Sequence, residues 1–284
     1  MSKEIIDLRS RPAFLHDFYG ATPGTDAYET AKWLNRRLGS HHEEHFARSL
    51  TLTGYLEEIE QAGITQAVVV GRLTPSISIP NERIRDLVAP HPNLIGIGSV
   101  DPQSGGLTDQ LDLIERAIHQ YGLRGINIEP GFGAPPLRFD DPALSPLYDA
   151  CRQLGCPVFL MTGPTTPDPA FAAPAPLAKV AADFPDLPIV LYHGCYPHVN
   201  EAIGLAFRHP NIHLVPDMYT FMPGSRPYIE AANGFLRDQL LFATSYPFRA
   251  MRQSVEEFVS LGFREEVLDG LLSGNARRLL GLTG

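Results

Sequence analysis

The sequence predicts an α/β chain closed into a single (β/α)8 barrel, a TIM barrel, and three observations lead there. Short apolar runs alternate with amphipathic helical stretches along the chain, the order that calls for parallel strands joined by right-handed crossovers. Eight such runs are present in 284 residues, close to the ~250 that this barrel uses as one unit. The glycine-rich turn of a nucleotide-binding open sheet does not follow the first run, which counts against the main competing fold.

The elements follow in order. Residues 5–7, 67–70, 94–100, 125–129, 157–161, 189–193, 212–215 and 240–244 read as the eight strands. Helical spacing marks 55–62, 107–121, 143–154, 177–184 and 199–207. Turn chemistry at Asp141-Pro142, Pro185-Asp186 and Tyr196-Pro197 announces several of them. Residues 12–50 break the rhythm. They open on Phe14, Phe18 and Tyr19, turn helical around 28–38, and then carry His41, His42 and His45. An insertion after the first strand overhangs the barrel mouth, so it is expected to be a lid or a homo-oligomer contact. A second loop, 162–176, is rich in proline and alanine and caps the fifth strand. No repeat, low-complexity tract or linker divides the chain, and residues 1–284 are expected to form one barrel.

Composition narrows the partners. A chain that is 44% hydrophobic and 19% charged is ordinary for a globular protein, which excludes wholesale disorder. No apolar run nears the ~18–20 residues that span a bilayer, and MSKEIIDLRS has no signal-peptide core. The net charge of −9, from 23 basic and 32 acidic residues, argues against nucleic acid, whose phosphates demand a basic face. A small anion held by a local positive field remains open. Cys151, Cys156 and Cys195 form no CxxC pair and read as buried thiols of a cytoplasmic protein.

Chemistry in such a barrel gathers at the C-terminal strand ends. Here those ends read Asp7-Leu8-Arg9-Ser10-Arg11, Gly71-Arg72, Asp101 and Asn127-Ile128-Glu129 in the first half. The second half gives Met161-Thr162, His193-Gly194, Asp217-Met218-Tyr219 and Ser245-Tyr246-Pro247. Strand alternation would set Asp7, Arg9 and Arg11 on one face, and Asn127 with Glu129 on another, leaving Ile126 and Ile128 to the helices.

The succession IIDLRSRP, GLRGINIEP, GCPVFLMTG, IVLYHGCYP, LLFATSYP and SGNARRLLGL resembles the amidohydrolase-related barrels over nearly the whole chain. That group includes metal-dependent decarboxylases of carboxylated aromatic and muconate-type acids, and lactonases of pyrone carboxylates. The resemblance implies an Asp-x-His-x-His first strand, histidines ending the fifth and sixth strands, and an aspartate ending the eighth. This chain keeps Asp7 but has Arg9 and Arg11 for the two first-strand histidines, Met161 for the third and Ser245 for the aspartate. Of the five positions, His193 matches. A catalytic zinc takes about three protein ligands, and two guanidiniums repel a divalent cation. No metal and no cofactor are expected.

Two neighbouring arginines form a fork for a substrate carboxylate that lysine could not reproduce. Alternatively, Arg9 pairs with Asp7 or Glu129 and fills vacated space. Arg72 could add a third positive group, although a solvated loop arginine is the preferred reading. His193 is the natural proton-transfer residue. Glu129 is a base or an arginine partner. Asp217 and Tyr219 bind substrate, share protons or cap a turn, and Ser245, outside any GxSxG elbow, is a small polar lining group. His41, His42 and His45 have near metal-like spacing, but a solvated lid face is preferred. The leading expectation is a metal-independent hydrolase of a small carboxylated lactone or ester. The alternatives are a decarboxylase or other lyase on a carboxylated aromatic or muconate-type acid, and a catalytically inactive binding barrel.

Overall fold

The computed structural model describes residues 3–16, 19, 22–40 and 42–282; Phe18 and His41, singled out above, lie outside the described residues. The strands are β1 (Ile6–Ser10), β2 (Gln66–Val70), β3 (Arg72–Thr74), β4 (Ile77–Ile79), β5 (Leu94–Ser99), β6 (Ile126–Ile128), β7 (Val158–Met161), β8 (Ile189–Tyr192) and β9 (Ile212–Val215). Seven of them form a parallel sheet in the order β1-β2-β5-β6-β7-β8-β9, while β3 and β4 make a small antiparallel hairpin after β2. The chain is thus a TIM barrel in which the predicted eighth strand is irregular. Residues 240–246 occupy its place and bond to both edges. Leu241 N donates to Leu214 O of β9 at 3.0 Å, and Leu8 N of β1 donates to Phe242 O at 3.1 Å. Ser245 N donates to Arg9 O at 3.1 Å, completing the ring. The ladder breaks because Phe242 N turns to Leu271 O, and Thr244 N donates to the Asp7 carboxylate at 2.8 Å.

Alternate strand residues feed two cores, as a sheet buried on both faces requires. Ile6, Leu8, Val68, Val70, Ile97, Val190 and Val215 fill the barrel interior, beneath a Phe159–Tyr192 stack at 5.2 Å. Ala67, Val69, Ile126, Ile128, Leu160 and Leu191 pack outward under the helices. Each buried aliphatic side chain of this kind stabilises the fold by about 1.5–3 kcal/mol. At Gly96 a Cβ would stand 2.6 Å from Leu123 and 2.9 Å from Ile84, so glycine lets helix Asn81–Val88 close on β5.

Alternation fails at one instructive place. The β1 register shifts between Asp7 and Ser10, and a bulge of this kind re-aims side chains. Ile6 and Leu8 enter the barrel interior, yet Arg9 and Arg11 line the mouth above them. Asp7 is therefore not on their face, as strict alternation predicted. Its carboxylate accepts from Thr244 N, Thr244 Oγ1 (2.6 Å) and Arg9 N (3.1 Å) and pins the barrel seam.

The insertion carries helices α1 (Asp26–Arg37) and α2 (Glu44–Ser49) ahead of the first barrel helix, α3 (Leu52–Gln61). Thr25 caps α1 by accepting from Tyr28 N, with Asp26 and Glu29 in the first turn and Arg36 and Arg37 in the last. Its inner face lies over the mouth: Leu34 and Leu38 pack with Tyr196, Met218, Tyr219, Met222 and Phe248. The buried Arg249 fastens it there, donating to Leu38 O, pairing with Glu257 and covering the Phe221 ring at 4.0 Å. The histidine segment differs from its predicted solvated face. His42 is exposed, but His45 is buried against Phe46 at 4.4 Å between ring centres, and burial lowers its pKa to about 4. The cause is that α2 starts at Glu44 and turns His45 inward.

Candidate active site

The chain turns sharply where β8 ends. His193, Gly194 and Cys195 have φ of 66°, 58° and 64°, a left-handed path that costs non-glycine residues about 1–3 kcal/mol each. Tertiary bonds hold it: Thr162 Oγ1 donates to Tyr192 O at 2.6 Å and accepts from Cys195 N at 2.8 Å, and Tyr228 donates to Gly194 O at 2.6 Å. Gly163 leaves room, since a Cβ there would come within 2.8 Å of His193 Cβ. His193 faces Asp217, itself at φ 44°. Asp217 Oδ1 lies 2.9 Å from His193 Nδ1, and Oδ2 accepts from His193 N at 3.2 Å. The carboxylate fixes the proton on Nδ1 and leaves the lone pair on Nε2. Burial, with help from the Arg9 charge, lowers the His193 pKa against the pull of Asp217. The imidazole is neutral at rest. Tyr219 packs edge-on against it at 4.9 Å and stacks on Tyr196 at 5.0 Å.

The Arg9 guanidinium does not pair with Asp7 or Glu129, the two partners that the alternative reading offered. Its Nη1 donates to Asp217 Oδ2 at 3.2 Å and to Ser245 Oγ at 2.7 Å, and lies 3.4 Å from His193 Nδ1. Its Nη2 meets the Met161 sulfur at 3.4 Å, and the guanidinium covers the Tyr192 ring at 5.1 Å. One guanidinium thus stands among the side chains of positions 161, 193, 217 and 245.

A second cluster adjoins the first. Arg11 Nη2 bonds Glu129, and Arg72 Nε pairs with the other Glu129 oxygen at 2.9 Å. Asn127 donates to Glu129 at 3.0 Å, so these two share a face as alternation predicts. Burial alone would raise the Glu129 pKa, but Arg11, Arg72 and Asn127 outweigh it and hold the carboxyl at about 2. Arg72 is not a solvated loop residue. At 3% exposure it is buried, covering the Phe132 ring at 4.5 Å, because the β3–β4 hairpin folds it back over the mouth. Arg11 spends Nε on Val70 O and Nη2 on Gly71 O, both at 3.1 Å, as well as on Glu129.

Arg9, Arg11, Arg72 and His193 line one cavity of about 70 Å³, and Glu129, Asp217, Tyr219 and Ser245 contact them from behind. Met161 and Met218, read at strand ends, complete the wall with four residues that the sequence did not single out: Leu34, Phe132, Thr165 and Phe248. Tyr19 also lines the cavity, its hydroxyl 3.4 Å from both Arg11 Nη1 and Arg72 Nη1. Its place in the aromatic opening of the insertion was a usable signal; nothing in periodicity pointed to Phe248.

A family profile described as amidohydrolase matches residues 45–282. An uncharacterized TIM-barrel protein from Bordetella bronchiseptica superposes with a TM-score of 0.89 at 35% identity, over 98% of each chain. A dihydroxybenzoic acid decarboxylase from Polaromonas sp. JS666, solved with bound manganese and the inhibitor 2-nitroresorcinol, superposes at 0.69 with 18% identity, over 99% of this chain and 98% of that one. A 2-amino-3-carboxymuconate-6-semialdehyde decarboxylase from Dictyostelium discoideum is 33% identical over 81 residues, which is 28% of this chain and 21% of that protein.

Proposed function

The chain belongs to the amidohydrolase family, and from that premise we propose that it is a metal-independent lyase, a decarboxylase of a small carboxylated aromatic or unsaturated acid. The hydrolase expectation gives way because the Polaromonas and Dictyostelium enzymes that it resembles are decarboxylases. The observation that carries the reading is the His193–Asp217 pair, bonded at 2.9 Å beside the Arg9 guanidinium, all three side chains buried at the cavity.

Manganese does not fit this donor set. Arg9 Nη1 stands 3.2 Å from Asp217, 3.4 Å from His193 and 2.7 Å from Ser245, so a cation already fills the space between them. A divalent ion would be repelled from it. Among the described residues, no three of His, Cys, Asp and Glu are grouped to hold a metal.

The chemistry then falls to side chains. His193 Nε2, basic and neutral, takes a proton from a substrate hydroxyl and returns it to the carbon that carries the carboxylate. Carbon dioxide leaves as that carbon gains the proton, and the hydroxyl oxygen recovers its proton from water. Asp217 stabilises the transient imidazolium, as a buried carboxylate does for a histidine base. Arg9, Arg11 and Arg72 supply the positive field that holds the acid. Tyr19 and Leu34, from the insertion after β1, cover this cavity.

The test is carbon dioxide release from a panel of hydroxybenzoates, carboxyvanillate-type acids and muconates by chelator-treated protein. Release that His193→Asn abolishes supports the lyase reading. Turnover confined to lactones or esters refutes it.

A further inference from the structure

One donor edge at the cavity wall is left without a full set of partners. Arg9 is buried and lines the cavity, with Nη1 engaged by Asp217 and Ser245. Its Nε has no hydrogen-bond partner, and its Nη2 meets the thioether of Met161, a weak acceptor. An unmade bond on a buried guanidinium is a standing desolvation cost that a ligand can remove. Nε–H and one Nη2–H leave the same side of the planar group, and that fork matches the two oxygens of one carboxylate. Arg11 offers no equivalent edge. Its Nε and Nη2 serve Val70 O, Gly71 O and Glu129, and its Nη1 faces Tyr19.

Charge fixes how many carboxylates the site accepts. The guanidiniums of Arg9, Arg11 and Arg72 face the carboxylates of Glu129 and Asp217, beside a neutral His193. Among these groups one positive charge is left uncompensated, Asp7 being set apart on Thr244 at the barrel seam. The rest of the wall is mostly apolar, with Leu34, Phe132, Met161, Met218 and Phe248 around about 70 Å³, and its other polar groups, Thr165 and Tyr19, are uncharged hydroxyls. A second anionic group on a ligand would be buried there with no cation left to meet it.

We propose that the Nε–Nη2 edge of Arg9 is the docking point for a single carboxylate, and that the cavity selects singly charged acids of small apolar body against both their neutral amides and dicarboxylates. This deepens the lyase reading, on which it rests for treating the acid as substrate; binding itself is independent of turnover.

Two ligand series test it on the intact protein by titration calorimetry and ligand-observed NMR: crotonate, crotonamide and fumarate, then benzoate, benzamide and isophthalate. In a series that binds, the monoacid should bind roughly tenfold or more tighter than its amide and its diacid, the usual effect of a charge-assisted contact. Arg9→Met should lose that preference. Arg9→Lys, which keeps the charge without the fork, should weaken the monoacid yet still prefer it to the amide. If Arg9→Met does not fold, the two wild-type series decide alone. A diacid or amide binding as tightly as its monoacid, or no acid binding in either series, overturns the proposal. Selective monoacid binding, with no carbon dioxide released from any acid of the hydroxybenzoate, carboxyvanillate and muconate panel, would refute the lyase reading and leave this subsite standing. Decarboxylation of a dicarboxylate held without preference would do the reverse.

Discussion

Glu129→Gln gives the sharpest energetic test, because one carboxylate neutralises two buried arginines. In the folded protein its pKa is lowered from 4.5 to about 2, with Arg11 and Arg72 outweighing the cost of burial. A shift of that size corresponds to about 3 kcal/mol of stability at neutral pH. Breaking a buried ion pair by removing one partner typically costs about 3–5 kcal/mol, so two routes give one magnitude. The glutamine variant should unfold at lower urea, with its melting temperature down by roughly 6–12 °C for a chain of this size. The pH dependence has a definite sign. The folded pKa lies below the unfolded one, so the stabilisation is complete above the unfolded value and is lost as pH falls through about 2. Between pH 7 and about pH 3.5, the gap between wild type and variant should shrink by about 1 kcal/mol. Urea titrations of both proteins at the two pH values measure it. A variant within about 1 kcal/mol of wild type at pH 7, or a gap indifferent to pH, refutes the claim that Glu129 is the counter-charge of this cluster. A folded variant should also carry a more positive cavity, and fumarate should gain on crotonate.

Three further outcomes are expected. Asp7→Asn should show the opposite pH signature. Burial raises the Asp7 pKa from 3.8 to about 7, so wild type loses stability as pH rises between these values. The variant, neutral throughout, should gain on wild type by about 2–3 kcal/mol from pH 5 to pH 8; melts showing a constant difference would remove Asp7 from this role. His193→Asn should lower kcat for a decarboxylated acid by about a hundredfold or more while leaving crotonate affinity nearly unchanged, and steady-state kinetics retaining a tenth of the rate would exclude His193 as the proton carrier. Purified protein should contain no stoichiometric zinc, manganese or iron and should keep its activity after dialysis against a chelator; elemental analysis near one metal per chain, with activity lost on dialysis, would overturn metal independence.

The barrel was legible because alternating apolar runs and amphipathic helices depend on local pattern, and all seven regular strands of the parallel sheet fall within or beside runs read from the sequence. The eighth was harder. Its amides answer to Leu271 O and to the Asp7 side chain, partners far away in sequence. Strand-end reading found Arg9, Arg11, Glu129, His193, Asp217 and Ser245, because position at a barrel mouth is itself a chemical signal. Pairing was less legible. The Arg9–Asp217 bond joins residues 208 apart, and a one-residue bulge in β1 decides which side chain reaches it. Arg72 was misread because a hairpin too short to show period-two alternation folds it inward. His45 was misread because spacing alone does not say where a helix begins.

The left-handed backbone at His193, Asp217 and Ser245 also sets how this mouth can evolve. Such positions accept glycine and short polar residues and reject β-branched ones, so drift there is confined to a narrow alphabet. Arg9, in the β1 bulge, and Met161, on β7, lack the left-handed backbone, as does Arg11 just after β1. Those three positions are open to large exchanges of charge and size without any penalty from the main chain. New chemistry on this scaffold therefore has a grain: it enters through the unstrained parts of the wall, while the corners keep their imidazole, carboxylate and hydroxyl and lend them to whatever arrives.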